Sequence, residues 1–146
     1  MTTDIICEVS MDIKAPISSV WDALVNPEKI AMYLFGTKAT SDWKVGSSIT
    51  FTGEWEGKAY EDKGTILQIE KGKIFKYNYW SNFSGSADIP ENYQDITYIL
   101  DEKGGGLTTF TVIQENCKTE EMRDHSVKNW TSVLQCMKDL LEKGEM

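Results

Sequence analysis

Histidine is almost absent from this sequence, which limits the catalytic and metal-binding chemistry open to it. His125 is the only histidine among 146 residues. A Ser-His-Asp or Cys-His arrangement would have to use it, and a two-histidine metal site within one chain is excluded. We expect His125 to be a solvated surface residue, with a ligand-contacting or acid–base role as the alternative. No EF-hand, P-loop or GxGxxG motif is present, so we predict no catalytic set, no metal site and no cofactor.

Long apolar runs are also missing. No stretch approaches the roughly 20 consecutive apolar residues of a membrane-spanning helix, so no membrane span is predicted. Residues 1–13 have polar residues between the apolar ones, unlike a signal peptide. Cys7, Cys117 and Cys136 are odd in number and far apart, which suits a reduced compartment. We expect a cytoplasmic chain whose three free thiols are small buried hydrophobes; with no CxxC partner, a redox or nucleophilic role is the weaker alternative.

Positive charge is scarce relative to negative charge. The 15 basic residues against 23 acidic residues give a net charge of −8, the wrong sign for neutralising phosphates or docking on anionic lipid. We therefore expect no nucleic-acid partner. Hydrophobic residues at 40% and charged residues at 26% are ordinary for a globular protein, and the length suits one domain over residues 1–146.

The first third of the chain predicts one strand and two short helices. Apolar residues from Ile5 to Ile13 alternate with polar ones, the period of a strand with one buried face. Pro16 then suits the first turn of a helix, because its missing N–H needs no partner there. Asn26 as N-cap and Pro27 at the first helical position predict a second helix that runs to about Leu34.

The middle of the chain, from Gly46 to Glu115, predicts a meander of hairpins because glycine-containing turn signals interrupt strand-like runs. The predicted strands are Ser47–Trp55, Lys58–Glu70, Lys73–Ser81, Tyr93–Asp101 and Gly106–Glu115. In the last of these, apolar residues fall on both faces, so its buried face is ambiguous. The break from Asn82 to Asn92 is long and polar, and is a candidate entrance loop to any cavity.

The end of the chain predicts one long amphipathic helix. It opens at Thr119 with acids in its first turn, carries apolar residues at helical spacing, and closes at Lys143 and Gly144. The resulting order is β-α-α-β-β-β-β-β-α. We therefore predict an α+β fold in which a curved antiparallel sheet of about six strands surrounds the C-terminal helix.

Several short segments resemble a known family. They are Ala15-Pro16, Val20-Trp21-Asp22-Ala23-Leu24, Asn26-Pro27-Glu28, Asp42-Trp43-Lys44-Val45-Gly46, Gly64-Thr65-Ile66-Leu67-Gln68-Ile69-Glu70 and Trp130. Together they resemble the family named for the activator of the Hsp90 ATPase, within the START/Bet v 1-like superfamily of helix-grip folds. The resemblance implies a cavity between sheet and final helix that holds apolar molecules. Some relatives are enzymes and others bind a chaperone. Gly46-Ser47 departs from the paired glycines that family members often carry.

Large rings are more numerous than a thin sheet-on-helix core needs. Each alone is as compatible with a core as with a cavity, but inward tyrosines need partners for their hydroxyls, which indicates a pocket with polar groups. The predicted ligand-binding residues are Phe51, Trp55, Tyr60, Phe75, Tyr77, Tyr79, Tyr98, Trp130, Leu134 and Met137.

Three functions follow, in order of preference. The first is binding of a hydrophobic or amphipathic small molecule in the cavity. The second is a protein-interaction module of the chaperone-activating type, which would use the acidic exterior. The third is an enzyme acting on a pocket-bound substrate. The acids Glu54, Glu56, Glu61 and Asp62 flank a hairpin turn and could form a carboxylate pair, but charged residues at turns are expected to be solvated.

Overall fold

The computed structural model describes residues 5–34, 36–55, 57–81 and 87–145, except for the side chain of residue 55. Within these ranges the chain forms seven strands and three α-helices. The strands are β1 (Cys7–Ile13), β2 (Lys38–Ser41), β3 (Ser48–Trp55), β4 (Lys58–Glu70), β5 (Ile74–Ser81), β6 (Gln94–Gly104) and β7 (Leu107–Gln114). The helices are α1 (Ile17–Val25), α2 (Pro27–Tyr33) and α3 (Glu120–Glu142). None of the described helices is long and apolar enough to cross a membrane.

The strands form one antiparallel sheet in the order β1-β7-β6-β5-β4-β3-β2, which confirms the predicted α+β helix-grip class. The sheet has one strand more than expected. The additional strand, β2, is four residues long and pairs with β3 at the sheet edge. Its sequence offers only Ala39 as a buried apolar residue, so it lacks the alternation by which the other strands were predicted.

The helices begin where their capping residues indicated. The side chain of Asn26 accepts a hydrogen bond from the amide of Glu28 at 3.1 Å, and the side chain of Thr119 accepts from the amide of Met122 at 3.0 Å. These bonds satisfy amides that the first helical turn leaves without intrahelical partners. Pro16 lies just before the first residue of α1, and its carbonyl accepts the first helical hydrogen bonds.

The core lies between the concave face of the sheet and the three helices. On β7 the buried face carries Phe110 and Val112, which resolves the ambiguity in that strand. From α3, Leu134 and Met137 are fully buried. Trp21 packs α1 onto the sheet, with its ring edge-on to that of Phe75 at 6.5 Å between centroids. Cys7 and Cys117 are buried, whereas Cys136 is half-buried.

The sheet bends where β4 and β5 meet at Gly64. A Cβ atom at this position would lie 1.6 Å from the backbone oxygen of Asn78, so only glycine fits. The pairing of β4 with β5 passes from Lys63 to Ile66 without Gly64 or Thr65. The amide of Thr65 instead donates to Oδ1 of Asn78 at 2.7 Å. A register shift between Ile66 and Gln68 follows. Such irregularities increase twist and bend a sheet, and here they turn its concave face toward α3.

The close approach at Gly64 predicts a large cost for adding a methyl group. We expect Gly64→Ala to lower the free energy of unfolding by about 2–3 kcal/mol, because backbone atoms of β5 must move. Gly72→Ala is the matched control: it has open space but a φ of 76°, so we expect a loss of only about 1 kcal/mol. Urea titration measures both values. Equal losses in the two variants would contradict the proposed steric role of Gly64.

Candidate functional site

A cavity of about 490 Å³ lies between the concave sheet and α3. Strands β3 to β7 form its floor and the end of α2 closes one side. The first four turns of α3 supply four lining residues at positions i, i+3, i+4 and i+7, which places them on one face of the helix. These four residues are Ser126, Asn129, Trp130 and Val133.

The residues predicted to bind ligand separate into three groups. Six of them line the cavity: Phe51, Tyr60, Tyr77, Tyr79, Tyr98 and Trp130. Phe75, Leu134 and Met137 are buried in the core and are not among the side chains that line it. The side chain of Trp55 lies outside the described residues, as do residues 82–86 of the candidate entrance loop. Later residues of that loop form a short 3-10 turn, Pro90–Asn92.

Two tyrosines at the centre of the cavity floor satisfy each other. The hydroxyls of Tyr77 and Tyr98 are 2.9 Å apart, and their rings meet edge to face at 5.7 Å. Burial raises the pKa of Tyr98 to about 12 and holds the pKa of Tyr77 well above its ordinary value, so both phenols are neutral near pH 7. Because each hydroxyl has a partner, the pair presents mainly ring surface to the cavity.

Tyr60 is held against the strand beside it. Its ring occupies the space that a side chain at Gly53 would take, since a Cβ there would lie 2.6 Å from the phenol oxygen. The hydroxyl of Tyr60 bonds to that of Thr37, whose proton goes to the carbonyl of Leu34 at 2.8 Å. Tyr60 therefore donates to Thr37, and this bond ties β4 to the segment after α2.

Trp130 begins a chain of hydrogen bonds that leaves the cavity. Its Nε1 donates to Oε1 of Gln114 at 2.8 Å, and Nε2 of Gln114 donates to Oε1 of Gln94, also at 2.8 Å. The Trp130 ring stands edge-on to Tyr98 at 5.9 Å. Gln114 is buried at the end of β7, and this network accounts for its side-chain amide. The position of Trp130 is thus fixed by packing and by a polar bond.

Asp62 brings a carboxylate to the cavity wall. On β4 it lies opposite Phe51 of β3 and Ser81 of β5, all on the concave face. Its Oδ2 accepts a hydrogen bond from the hydroxyl of Tyr79, whereas Oδ1 is buried without a hydrogen-bond partner among the described residues. The expectation that Asp62 is solvated was wrong, because its strand position points it inward and away from the hairpin turn.

The electrostatic consequence is a carboxyl group that resists ionisation. Burial raises the pKa of Asp62, and the hydroxyls of Ser81 and Tyr79 oppose this effect by hydrogen bonding. Burial also raises the pKa of Tyr79, and the neighbouring Asp62 carboxylate adds to that shift. The proton between them therefore stays on the phenol, and the pair carries at most one negative charge.

Sequence reasoning missed several lining residues for a common reason. Thr37, Ile96, Gln114, Ser126 and Val133 are not large rings, whereas the predicted set consists of large rings together with Leu134 and Met137 from the apolar stripe of α3. Helical spacing could have found two of them, since Ser126 and Val133 lie one turn on either side of Trp130. His125, next to Ser126, is exposed, as expected of a solvated residue. No three His, Cys, Asp or Glu side chains in the described ranges are placed to hold a metal ion.

Comparison with known proteins gives a family model that matches most of the chain and a solved structure with a similar sequence. A family model described as activator of Hsp90 ATPase homolog 1-like protein matches residues 14–142. The solution structure of ChR145 from Cytophaga hutchinsonii is 46% identical, covers 99% of this chain and 98% of that chain, and has a TM-score of 0.84. No curated protein matches the chain.

Two more distant structures share the fold. The Aha1 dimer from Colwellia psychrerythraea is 18% identical, with a TM-score of 0.74 over 97% of this chain and 99% of that one. PFC0360w, described as an HSP90 activator from Plasmodium falciparum, is 15% identical, with a TM-score of 0.74 over 94% of this chain and 96% of that one. At these identities the likeness establishes the fold alone.

The raised pKa of Asp62 predicts that the difference in stability between Asp62→Asn and the unsubstituted protein depends on pH. The folded protein binds the Asp62 proton more tightly than the unfolded chain does, so this group's contribution is greatest at low pH. It is lost as pH rises from about 4, the ordinary aspartate pKa, through the raised folded pKa. We expect Asp62→Asn to gain stability relative to the unsubstituted protein as pH increases over that interval. Urea titrations at several pH values measure the difference.

Asp88 provides a control of opposite sign. Hydrogen bonds from Lys63 and Tyr93 lower the pKa of Asp88, so its contribution is present above the ordinary aspartate pKa and is lost as pH falls. Asp88→Asn should therefore lose stability relative to the unsubstituted protein as pH rises. A pH-independent difference for Asp62→Asn, beside a pH-dependent one for Asp88→Asn, would contradict the environment described for Asp62.

Proposed function

Because this chain belongs to the activator of Hsp90 ATPase homolog 1-like family, we propose that its cavity binds an amphipathic small molecule with a largely apolar, ring-containing body. The observation that carries the proposal is the cavity of about 490 Å³ with six aromatic side chains in its lining. That volume lies within the roughly 300–1,000 Å³ of known ligand pockets. Flat rings on several sides favour a flat or ring-containing ligand.

The arrangement of polar groups supports an amphipathic ligand rather than a purely apolar one. In the centre, Tyr77 and Tyr98 use their hydroxyls on each other and offer ring surface. At one end, Asp62 and Tyr79 supply a polar pair. On the helix side, Ser126 and Asn129 add a hydroxyl and an amide to the lining. A ligand with an apolar middle and a polar group at its end matches this order.

Binding is favoured over covalent catalysis by the types of residue that are present. The described residues that line the cavity include no histidine, cysteine or lysine. Their hydroxyls come from serine, threonine and tyrosine. The Thr37 hydroxyl donates to the Leu34 carbonyl, and the Ser81 hydroxyl bonds to Asp62, a carboxyl that also accepts from Tyr79 and has no histidine beside it among the described lining residues. The proposal accordingly assigns recognition, without a chemical reaction, to these side chains.

A blocking variant tests the proposal. N-phenyl-1-naphthylamine, an uncharged fluorescent molecule with two ring systems, is the probe. Ser126 is half-buried and lines the cavity, so Ser126→Trp should place a ring in the cavity and weaken probe binding at least about tenfold. Ser132→Trp is the matched control, because Ser132 is exposed on the same helix outside the cavity and should change affinity less than about twofold.

Native mass spectrometry of protein purified from its own cell complements that titration. We expect a population with the mass of the chain plus a bound small molecule. If the protein has only its bare mass, and the probe gives no saturable fluorescence change with the unsubstituted chain, the proposed function is refuted. Equal binding by Ser126→Trp and Ser132→Trp would place any observed binding outside this cavity.

A second candidate function is activation of an Hsp90-type chaperone. The observation that favours it is the shared fold of the Plasmodium falciparum protein described as an HSP90 activator. Against it, the exposed large apolar residues of the described chain come from separate segments and form no stripe along one element. They are Ile6, Met32, Val45, Leu67, Ile89 and Met122. Stable interfaces usually need a contiguous apolar centre.

We therefore expect that adding this protein to an Hsp90-type chaperone leaves its ATPase rate nearly unchanged. The measurement is the steady-state ATPase rate at increasing protein concentration, with a known activator as positive control. A saturable, severalfold stimulation would support the second candidate over the first. Repeating the titration with Ser126→Trp would then show whether the cavity takes part.

A further inference from the structure

The charges around the cavity have one sign. Among the described residues that line it, Glu54 and Asp62 carry carboxyl groups and none is lysine, arginine or histidine. The residues outside the described ranges contain no basic residue either. A ligand carboxylate or phosphate would therefore lose its hydration without gaining a positively charged partner, which is costly in a partly buried site. The cavity opposes anionic ligands such as ionised fatty acids.

One oxygen of the Asp62 carboxylate has no hydrogen-bond partner among the described residues, and a positively charged ligand group would supply one. Its Oδ2 accepts from Tyr79, and the Ser81 hydroxyl is close enough to lower the pKa of the carboxyl by hydrogen bonding, but Oδ1 is buried without a hydrogen-bond partner among the described residues. Burial raises the pKa of this carboxyl, and an opposite charge placed beside it would favour its ionised form. Oδ1 is covered by protein atoms. A ligand group can therefore bond to it only when the carboxylate turns about its χ2 torsion, which is broad for aspartate.

Aromatic rings lie beside this carboxylate. Phe51 is directly across the strand pair from Asp62, and its ring lies 6.4 Å from that of Tyr79 and 5.8 Å from that of Tyr77. Ring faces attract ammonium groups, most strongly where water is excluded. A carboxylate beside several rings is a combination that recognises organic cations, because the rings replace hydration while the carboxylate supplies the opposite charge.

Resting on the proposed function, we infer that the cavity selects ligands that carry a protonated amine on an apolar, ring-containing body, with the amine bound at Asp62 between Phe51 and Tyr79. The apolar body then extends over the Tyr77–Tyr98 pair toward α3. An uncharged ligand with a hydroxyl binds less tightly, and an anionic ligand binds least.

Three probes of the same shape test the charge preference. They are 2-naphthylmethylamine, 2-naphthalenemethanol and 2-naphthoate, which are cationic, neutral and anionic near pH 7. Isothermal titration calorimetry with the unsubstituted protein should show the amine binding at least tenfold more tightly than the carboxylate, with the alcohol between them. Asp62→Asn should weaken amine binding about tenfold and reduce the preference for the amine over the alcohol to less than about threefold. Asp101→Asn, the same change at an exposed position outside the cavity, should alter neither.

The outcomes separate the inference from the function on which it rests. If the alcohol binds but the amine binds no more tightly than the carboxylate, the inferred selectivity is wrong and the proposed function stands. The same holds if Asp62→Asn binds the alcohol normally and keeps the full preference for the amine. If none of the three probes binds, at concentrations where N-phenyl-1-naphthylamine also fails, the proposed function fails and the inference fails with it.

Discussion

The contact between Gly64 and the backbone of Asn78 is the constraint on which the rest of the structure depends. At this point β5 occupies space that any other residue's side chain would need, and the strand pairing is interrupted. A flat sheet would present a plane to α3, and the helix would pack against it along its whole apolar stripe. In this structure α3 lies closest to β1 at one edge of the sheet, and four of its side chains border the cavity over the other strands. Leu134 and Met137 fill the contact, whereas Trp130 and Val133 border the space.

The cavity wall is stabilised by bonds between its own polar groups. Tyr60 with Thr37, Tyr77 with Tyr98, and Trp130 with Gln114 form separate pairs. Each pair satisfies a group that would be costly to bury alone, and each joins two elements of the fold. The rings are thereby held at fixed angles before any ligand arrives. Preorganised walls of this kind bind with a smaller loss of side-chain entropy than walls that must become ordered.

Asp62 differs from these pairs in retaining one unsatisfied oxygen. Buried polar atoms without partners are uncommon in folded proteins, and those that occur often belong to functional sites. Its location explains why the sequence did not reveal it. Asp62 lies two residues after Tyr60 on β4, so both side chains are on the inward face. In the sequence, however, a carboxylate near a hairpin turn resembles the many that are solvated.

The elements predicted accurately from the sequence are those with a strong local pattern. The Asn26-Pro27-Glu28 cap and the apolar spacing of the final helix predicted α2 and α3 closely, because capping and helical periodicity act over a few residues. β2 was missed because pairing with β3, rather than its own composition, makes it a strand. Ring content and the apolar stripe of α3 led to six lining residues but could not separate them from Phe75, Leu134 and Met137. That distinction depends on sheet curvature, which arises from contacts between strands and leaves little trace in either strand alone.

The pairing of β1 with β7 has a consequence for the order of assembly. Cys7 lies opposite Gln114, so the first strand of the described chain finds its partner only after nearly all the others have been synthesised. Such distant pairing carries a large loop-closure cost and slows folding. Until it forms, the outer backbone edge of β7 lacks its partner strand, and Gln114, which bonds to Trp130, lies on that edge strand. On a ribosome, the hairpins β3 to β6 would form before β1 pairs with β7, and the helix side of the cavity would close last, after α3 is synthesised.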